Sequence, residues 1–185
     1  MLRVIYDLEQ LGSGDINRPA ITQLIGKSKL IGIEIGVANG FHARNILERL
    51  DVSLLYLIDP YKEYIDNNNV FSQLALTAAK ANAVNVLSNY INKIEWLYAR
   101  SENVHTNFDD KSIDFVYIDG DHSYNNIKKD IELYYSKVKI GGLIGGHDYT
   151  KLQYGIKQAV IEFFPSSDIC NEKNDWWAIK RSNNE

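Results

Sequence analysis

The chain has 185 residues, 45% hydrophobic and 24% charged, the proportions of a globular protein large enough to bury a core without disulfide staples. Its net charge of -4 argues against a nucleic-acid backbone as the main partner. The lone Cys170 excludes a disulfide framework and a thiolate metal site, and no apolar run approaches the roughly 18 residues of a membrane span. The opening MLRVIYDLEQ carries acidic residues and no apolar core, so no signal peptide is expected and reducing cytoplasm is the expected compartment.

Taken in order, residues 1–28 read as an N-terminal helical cap. Asn17-Arg18-Pro19 opens a short helix with proline in its first turn, and Gly12-Ser13-Gly14 is either a hinge or a plain turn. Residues 29–185 read as the core of the same single domain, 1–185. LIGIEIG at 30–36 is a buried strand, Gly36 to Gly40 a turn, and 41–50 a helix. Strand, glycine loop and helix make the usual nucleotide cradle of a doubly wound sheet. The spacing E-x-G-x-x-x-G departs from the dinucleotide pattern, and Glu34 at the strand end would favour a cationic ligand over a phosphate. Residues 52–58 form a second strand ending in Asp59, which is placed either to accept hydrogen bonds from ribose hydroxyls or to cap a turn before Pro60. A long helix is expected over 66–90, with Phe71, Leu74, Ala75, Ala78, Ala79, Ala83, Val84 and Leu87 as its packed face. A third strand follows at 94–99. Ser101 then caps a short helix, with Glu102 beside it in reach of a purine edge.

The stretch from Phe115 to Tyr149 organises the rest. It reads as a strand ending at Asp119, a helix capped by Ser123, and a strand ending at His147-Asp148. Successive parallel strands joined by a crossover helix deliver their last residues to one sheet edge. Asp119, Asp121 and His122 should therefore lie beside His147 and Asp148, a gathering of acids and imidazoles that calls for a shared cation or proton. Lys128, Lys129, Asp130 and Glu132 read as a solvated helix face, and His42 and His105 as packing or surface residues. A further helix over 154–164 and a closing hairpin, with Trp176 and Trp177 on opposite sheet faces, complete the chain.

Three blocks now carry a resemblance: Glu34-Ile35-Gly36-Val37, the IDGDHSY run from Ile118 to Tyr124, and the GGHDY run from Gly145 to Tyr149. Together they resemble the class I S-adenosylmethionine-dependent methyltransferases, in particular the small group typified by methyltransferase family 24. The resemblance implies a Rossmann-like α/β three-layer sandwich around a seven-stranded, mostly parallel sheet with an antiparallel last strand. It implies S-adenosyl-L-methionine as cofactor. Glu34, Gly36 and Gly40 would line its methionine part, Asp59 would hold the ribose, Ser101 and Glu102 would border the adenine, and Asp119 would also face the cofactor. Metal-dependent O-methyltransferases of the wider class hold a divalent ion, Mg or Mn, where this chain has Asp119, His147 and Asp148. His147 stands where a carboxylate is more usual.

The expected reaction is O-methylation of a small-molecule or sugar hydroxyl, metal-assisted, with His147 or His122 as base and Asp119 beside them. Two alternatives stand next to it: a metal-independent methyltransferase with His147 as base oriented by Asp148 or Asp119, and a non-catalytic S-adenosylmethionine-binding protein. The glycine spacing disfavours a nicotinamide dehydrogenase. No nucleic-acid or membrane partner is expected, and a homo-oligomer is compatible with the residues.

Overall fold

The computed structural model describes residues 3–5, 18–66, 69–150 and 154–182. The expected Gly12-Ser13-Gly14 joint lies outside them. Among the described residues ten strands and five α-helices follow in order: β1 (Arg3–Ile5), α1 (Pro19–Thr22), β2 (Leu30–Ile35), α2 (Phe41–Arg49), β3 (Val52–Ile58), β4 (Tyr64–Asp66), β5 (Asn69–Phe71), α3 (Gln73–Val86), β6 (Ile94–Leu97), β7 (Ile113–Ile118), α4 (Tyr124–Tyr135), β8 (Val138–Gly146), α5 (Tyr154–Phe163), β9 (Cys170–Glu172) and β10 (Asp175–Ile179).

Seven strands form one sheet in the order β6-β3-β2-β7-β8-β10-β9. Neighbours from β6 to β8 are parallel, whereas β10 runs antiparallel to both β8 and β9. This is the Rossmann-like sheet with an antiparallel last strand that the motifs imply. The short apolar runs at β2, β3 and β7 are buried on both faces, as parallel strands between helices must be. Side-chain alternation divides the core in two. Val116, Ile118, Ile144 and Trp176 face Ile127, Ile131 and Tyr134 of α4 and Ala159 and Val160 of α5. Phe115, Tyr117, Leu143 and Trp177 face Ala20 and Ile21 of α1 and Ala43 and Ile46 of α2. The adjacent tryptophans thus enter opposite layers, as the period of a strand requires. Truncating a fully buried side chain such as Ile131 to alanine should cost about 2–5 kcal/mol.

The helix expected from residue 66 starts later. Ser72 caps α3 by accepting from the Ala75 amide, and the residues before it form β4 and β5 of a small three-stranded sheet with β1. Tyr64 stacks on Phe71 across the β4/β5 pair. The buried stripe of α3 is Ala75, Leu76, Ala79 and Ala83, so Leu74 (70% exposed) and Val84 (47%) face outward, against expectation. Asp130 also departs from the expected solvated face, being buried in α4 between Ile127 and Tyr134. Among the described residues no helix is long and apolar enough to cross a membrane.

Candidate active site

The carboxyl ends of β2, β3, β6, β7 and β8 share one edge of the sheet, and the loops leaving β2, β3, β6 and β7 line a cleft that opens to solvent. Gly36 forms its floor. The residue has φ 86°, and a Cβ there would stand 2.2 Å from the Asp119 carbonyl oxygen, so no other residue lets β2 turn so close to β7. Gly40 ends the turn at φ 81° against Ala83 of α3.

Asp59 braces this loop. Its Oδ2 accepts from the Val37 and Ala38 amides, each at 3.0 Å, and its Oδ1 accepts from the Tyr61 amide at 2.8 Å. Burial raises its pKa, and the three amides only partly offset that. Each carboxylate oxygen has two lone pairs, so a carboxylate that braces a turn through Oδ1 and Oδ2 keeps room on Oδ1 for one further donor. Tyr61 is buried, with its hydroxyl donated to the Ala38 carbonyl, and is a loop brace too.

Ser101 and Glu102 border the far end of the cleft, together with Asp130. Ser101 Oγ donates to Asp130 Oδ1 at 2.5 Å, and Tyr134 Oη donates to the Ser101 carbonyl at 2.9 Å. Burial drives the Asp130 carboxyl up to about 7 despite the Ser101 bond, with Glu102 and Asp121 adding to the rise. Glu34 is placed differently from its expected partners. It is 1% exposed and lies beneath the loop, outside the cleft lining, with Oε1 at 2.8 Å from Nδ1 of a buried His42. Burial raises its pKa, against the opposing pull of His42. The His42 ring packs 4.3 Å from that of Tyr117, a packing role in line with its expectation.

Asp119 lines the cleft, and beside it the acids and imidazoles converge. The Asp119 amide donates to the Ile35 carbonyl at 2.7 Å, which fixes the tip of β7. His122 Nε2 lies 3.1 Å from Asp148 Oδ2 and 3.7 Å from Asp119 Oδ1. One ligand atom from each of Asp119, His122 and Asp148 falls within 4.8 Å of the others, close enough for a single ion. Asp148 adopts φ 58°, a left-handed conformation rare outside glycine, that aspartate tolerates better than most. His147 turns aside from this trio. Its Nδ1 lies 2.8 Å from Asp175 Oδ1, which leaves Nε2 at 3.8 Å from Asp148 Oδ1.

Two residues of this network carried no signal in their local sequence. Arg18, just before α1, sets Nη2 3.2 Å from Asp119 Oδ2 and Nη1 3.7 Å from Asp175 Oδ1. Asp175, wholly buried at the start of β10, also accepts from the Ala20 amide at 3.1 Å and from Tyr117 Oη at 2.9 Å. Burial alone would raise the Asp119 carboxyl. Proximity to His122, then the charges of Arg18 and His147, outweigh it and hold the pKa at about 2.

A seven-stranded sheet of this order, with a glycine-turned cleft and an acid after the fourth parallel strand, is the framework of the class I methyltransferases. The profile of a methyltransferase-domain family matches residues 33–149, and the chain belongs to that family. It is an S-adenosylmethionine-dependent methyltransferase. No protein of curated function matches it in sequence. Solved structures share the fold at low identity. A protein from Corynebacterium glutamicum aligns with a TM-score of 0.69 at 14% identity, over 94% of this chain and 84% of that one. The O-methyltransferase NovP aligns at 0.65 and 18%, over 95% and 79%. An rRNA methylase from Streptococcus thermophilus aligns at 0.60 and 15%, over 88% and 93%.

Proposed function

We propose that this methyltransferase acts on a hydroxyl of a small molecule or sugar, with a divalent ion at Asp119, His122 and Asp148. The observation that carries the reading is the meeting of those three side chains beside a cleft whose wall includes Asp119. The donor set fits a metal: two carboxylates and one imidazole suit manganese or iron better than magnesium, which prefers oxygen alone. Such an ion would act as a Lewis acid that makes a bound hydroxyl easier to deprotonate.

The chain's own residues supply position. Gly36 and Gly40 let the backbone approach the cofactor, Asp59 sits where the ribose hydroxyls would lie, and Ser101 and Glu102 border the base. Glu34 contributes from beneath by holding His42 and the loop. Methyl transfer from a sulfonium is an in-line displacement, so alignment of oxygen, methyl carbon and sulfur is the main requirement. The acceptor enters beside Asp119 and Asp148, and His147 Nε2 is in position to receive its proton. The net charge of -4 favours a small acceptor over an RNA. The reading treats residues 1–185 as one unit in which the segment up to residue 28 caps the site, as the contacts of Arg18 and Ala20 with Asp119 and Asp175 support.

One observation favours a second reading without a metal. The Asp175–His147 pair resembles the oriented base of other enzymes, and Arg18 already supplies a cation beside Asp119. Methyl transfer from S-adenosylmethionine to a panel of phenols, sugars and alcohols, measured on EDTA-treated protein with and without added manganese, tests both. Loss on chelation and recovery with manganese is expected. Undiminished transfer after chelation would leave the metal-free reading, and methylation of nitrogen or carbon alone would end both.

A further inference from the structure

The two margins of the main sheet are finished differently. β9 closes one of them with three exposed residues, Cys170–Glu172, followed by Lys173 at φ 55°, a short and sharply turned end that offers little to another strand. β6 forms the other margin and is barely guarded: it has no proline, pairs with β3 without a bulge, and carries Glu95 as its only charge. The Asp59 amide donates to the Leu97 carbonyl, so Glu95 and Leu97 turn their backbone groups toward β3. By alternation the N–H and C=O of Ile94 and Trp96 point away from the sheet, and among the described residues no strand pairs with them.

The flank of that edge is apolar as well. α3 has one charge in its 14 residues, Lys80, whose ammonium lies 3.5 Å from the centroid of the Tyr98 ring just past β6. Tyr98 in turn stacks on Trp96, with 5.4 Å between ring centroids. Val84, one turn on from Lys80, is 47% exposed, Ile91 in the turn leading into β6 is 72% exposed, and Tyr98 is 45% exposed. A helix that is apolar on its outer side as well as its inner one is ordinarily covered on both.

We propose that the β6 edge is a pairing surface for a second copy of this chain, the two edges meeting antiparallel about a two-fold axis beside Trp96. At that axis the outward N–H and C=O of Trp96 in each copy face those of the partner's Trp96, and the sheet runs on through both subunits. Glu95 lies on the opposite sheet face from Trp96, away from the apolar flank. The chemistry of the flank selects the occupant. With Lys80 laid on Tyr98, it offers no counter-charge to an acidic or basic partner, although the chain as a whole is 24% charged. A second copy brings the same uncharged surface, so that Val84, Ile91 and Tyr98 of each subunit are covered by the flank of the other. The inference is independent of the acceptor and of the metal.

Sedimentation velocity of the full chain between about 1 and about 100 μM tests the surface, with hydrogen exchange at the Ile94 and Trp96 amides followed on the same samples. A monomer–dimer equilibrium is expected, and exchange at those two amides should slow by at least about tenfold as the dimer fills. The double variant Val84→Glu, Ile91→Glu changes two exposed side chains and should keep the wild-type circular dichroism. It should weaken the dimer by at least about a hundredfold, because carboxylates are then forced into an apolar contact. The wild-type exchange data decide alone if that variant fails to fold. A wild type that stays monomeric up to about 100 μM overturns the proposal and leaves the edge to a strand of some other protein. A dimer whose Ile94 and Trp96 amides exchange as fast as the monomer's, or one indifferent to both substitutions, also overturns it, since its contact then lies elsewhere.

Discussion

Asp175 Oδ1 lies 2.8 Å from His147 Nδ1, joining the first residue of the last strand to the residue just past β8. A carboxylate oxygen facing Nδ1 orients the ring and turns Nε2 away from Asp175. The same carboxylate holds Ala20 and Tyr117, so its removal acts on fold and site together. Asp175→Asn is expected to lower stability by about 3 kcal/mol in urea unfolding. Methyl transfer should fall further than the remaining folded fraction explains. Full activity in the folded variant would show that His147 needs no such anchor.

Gly36→Ala places a methyl group 2.2 Å from the Asp119 carbonyl oxygen at a positive φ. Either β2 or the tip of β7 must move, and both line the cleft. We expect a loss of about 1–3 kcal/mol in stability and no detectable S-adenosylhomocysteine binding by titration.

Asp130 gives a pH signature of its own. Its folded pKa of about 7 stands above the ordinary carboxylate value of about 3.9. Between those values the folded chain holds a proton that the unfolded chain has released, so stability falls as pH rises from about 4 to about 7 and is level above. Asp130→Asn has no such proton. Its stability relative to wild type should therefore climb by up to about 4 kcal/mol between pH 4 and pH 8 in urea titrations. A constant difference across that range would mean that the acid is solvated after all.

If an ion is held by Asp119, His122 and Asp148, His122→Ala should weaken manganese binding by at least about tenfold in calorimetric titration. Arg18→Met should act in the opposite direction, because its guanidinium competes for Asp119 from 3.2 Å. Identical manganese affinity in His122→Ala would place the ion elsewhere or nowhere.

What the sequence disclosed depended on how local the signal was. The parallel strands, the glycine turn and the convergence of Asp119, His122, His147 and Asp148 follow from apolar runs and from the handedness of a crossover, both readable along the chain. The division between the trio and His147 was not legible, because it depends on Asp175 and Arg18, brought in from β10 and from ahead of α1. Nothing next to Asp175 marks it except the tryptophan that follows. Asp130 has a signal in the sequence: Ile127, Asp130, Ile131 and Tyr134 fall at i, i+3, i+4 and i+7, an acid set within an apolar stripe. The helix expected from residue 66 begins only at Gln73, because the alanine-rich periodicity holds after Ser72 and the residues ahead of it pair as β4 and β5.

The direction of β10 has a topological consequence. Trp176 pairs with Gly146 and Ile179 with Leu143, so this strand begins at the reactive edge where its neighbour finishes. Were it turned to run alongside β8, its far end, Ile179 and Lys180, would arrive beside His147 in place of a carboxylate. The reversal that looks like a decoration at the margin of the sheet is what lets a strand's opening residue serve as an anchor for chemistry otherwise reserved for strand ends.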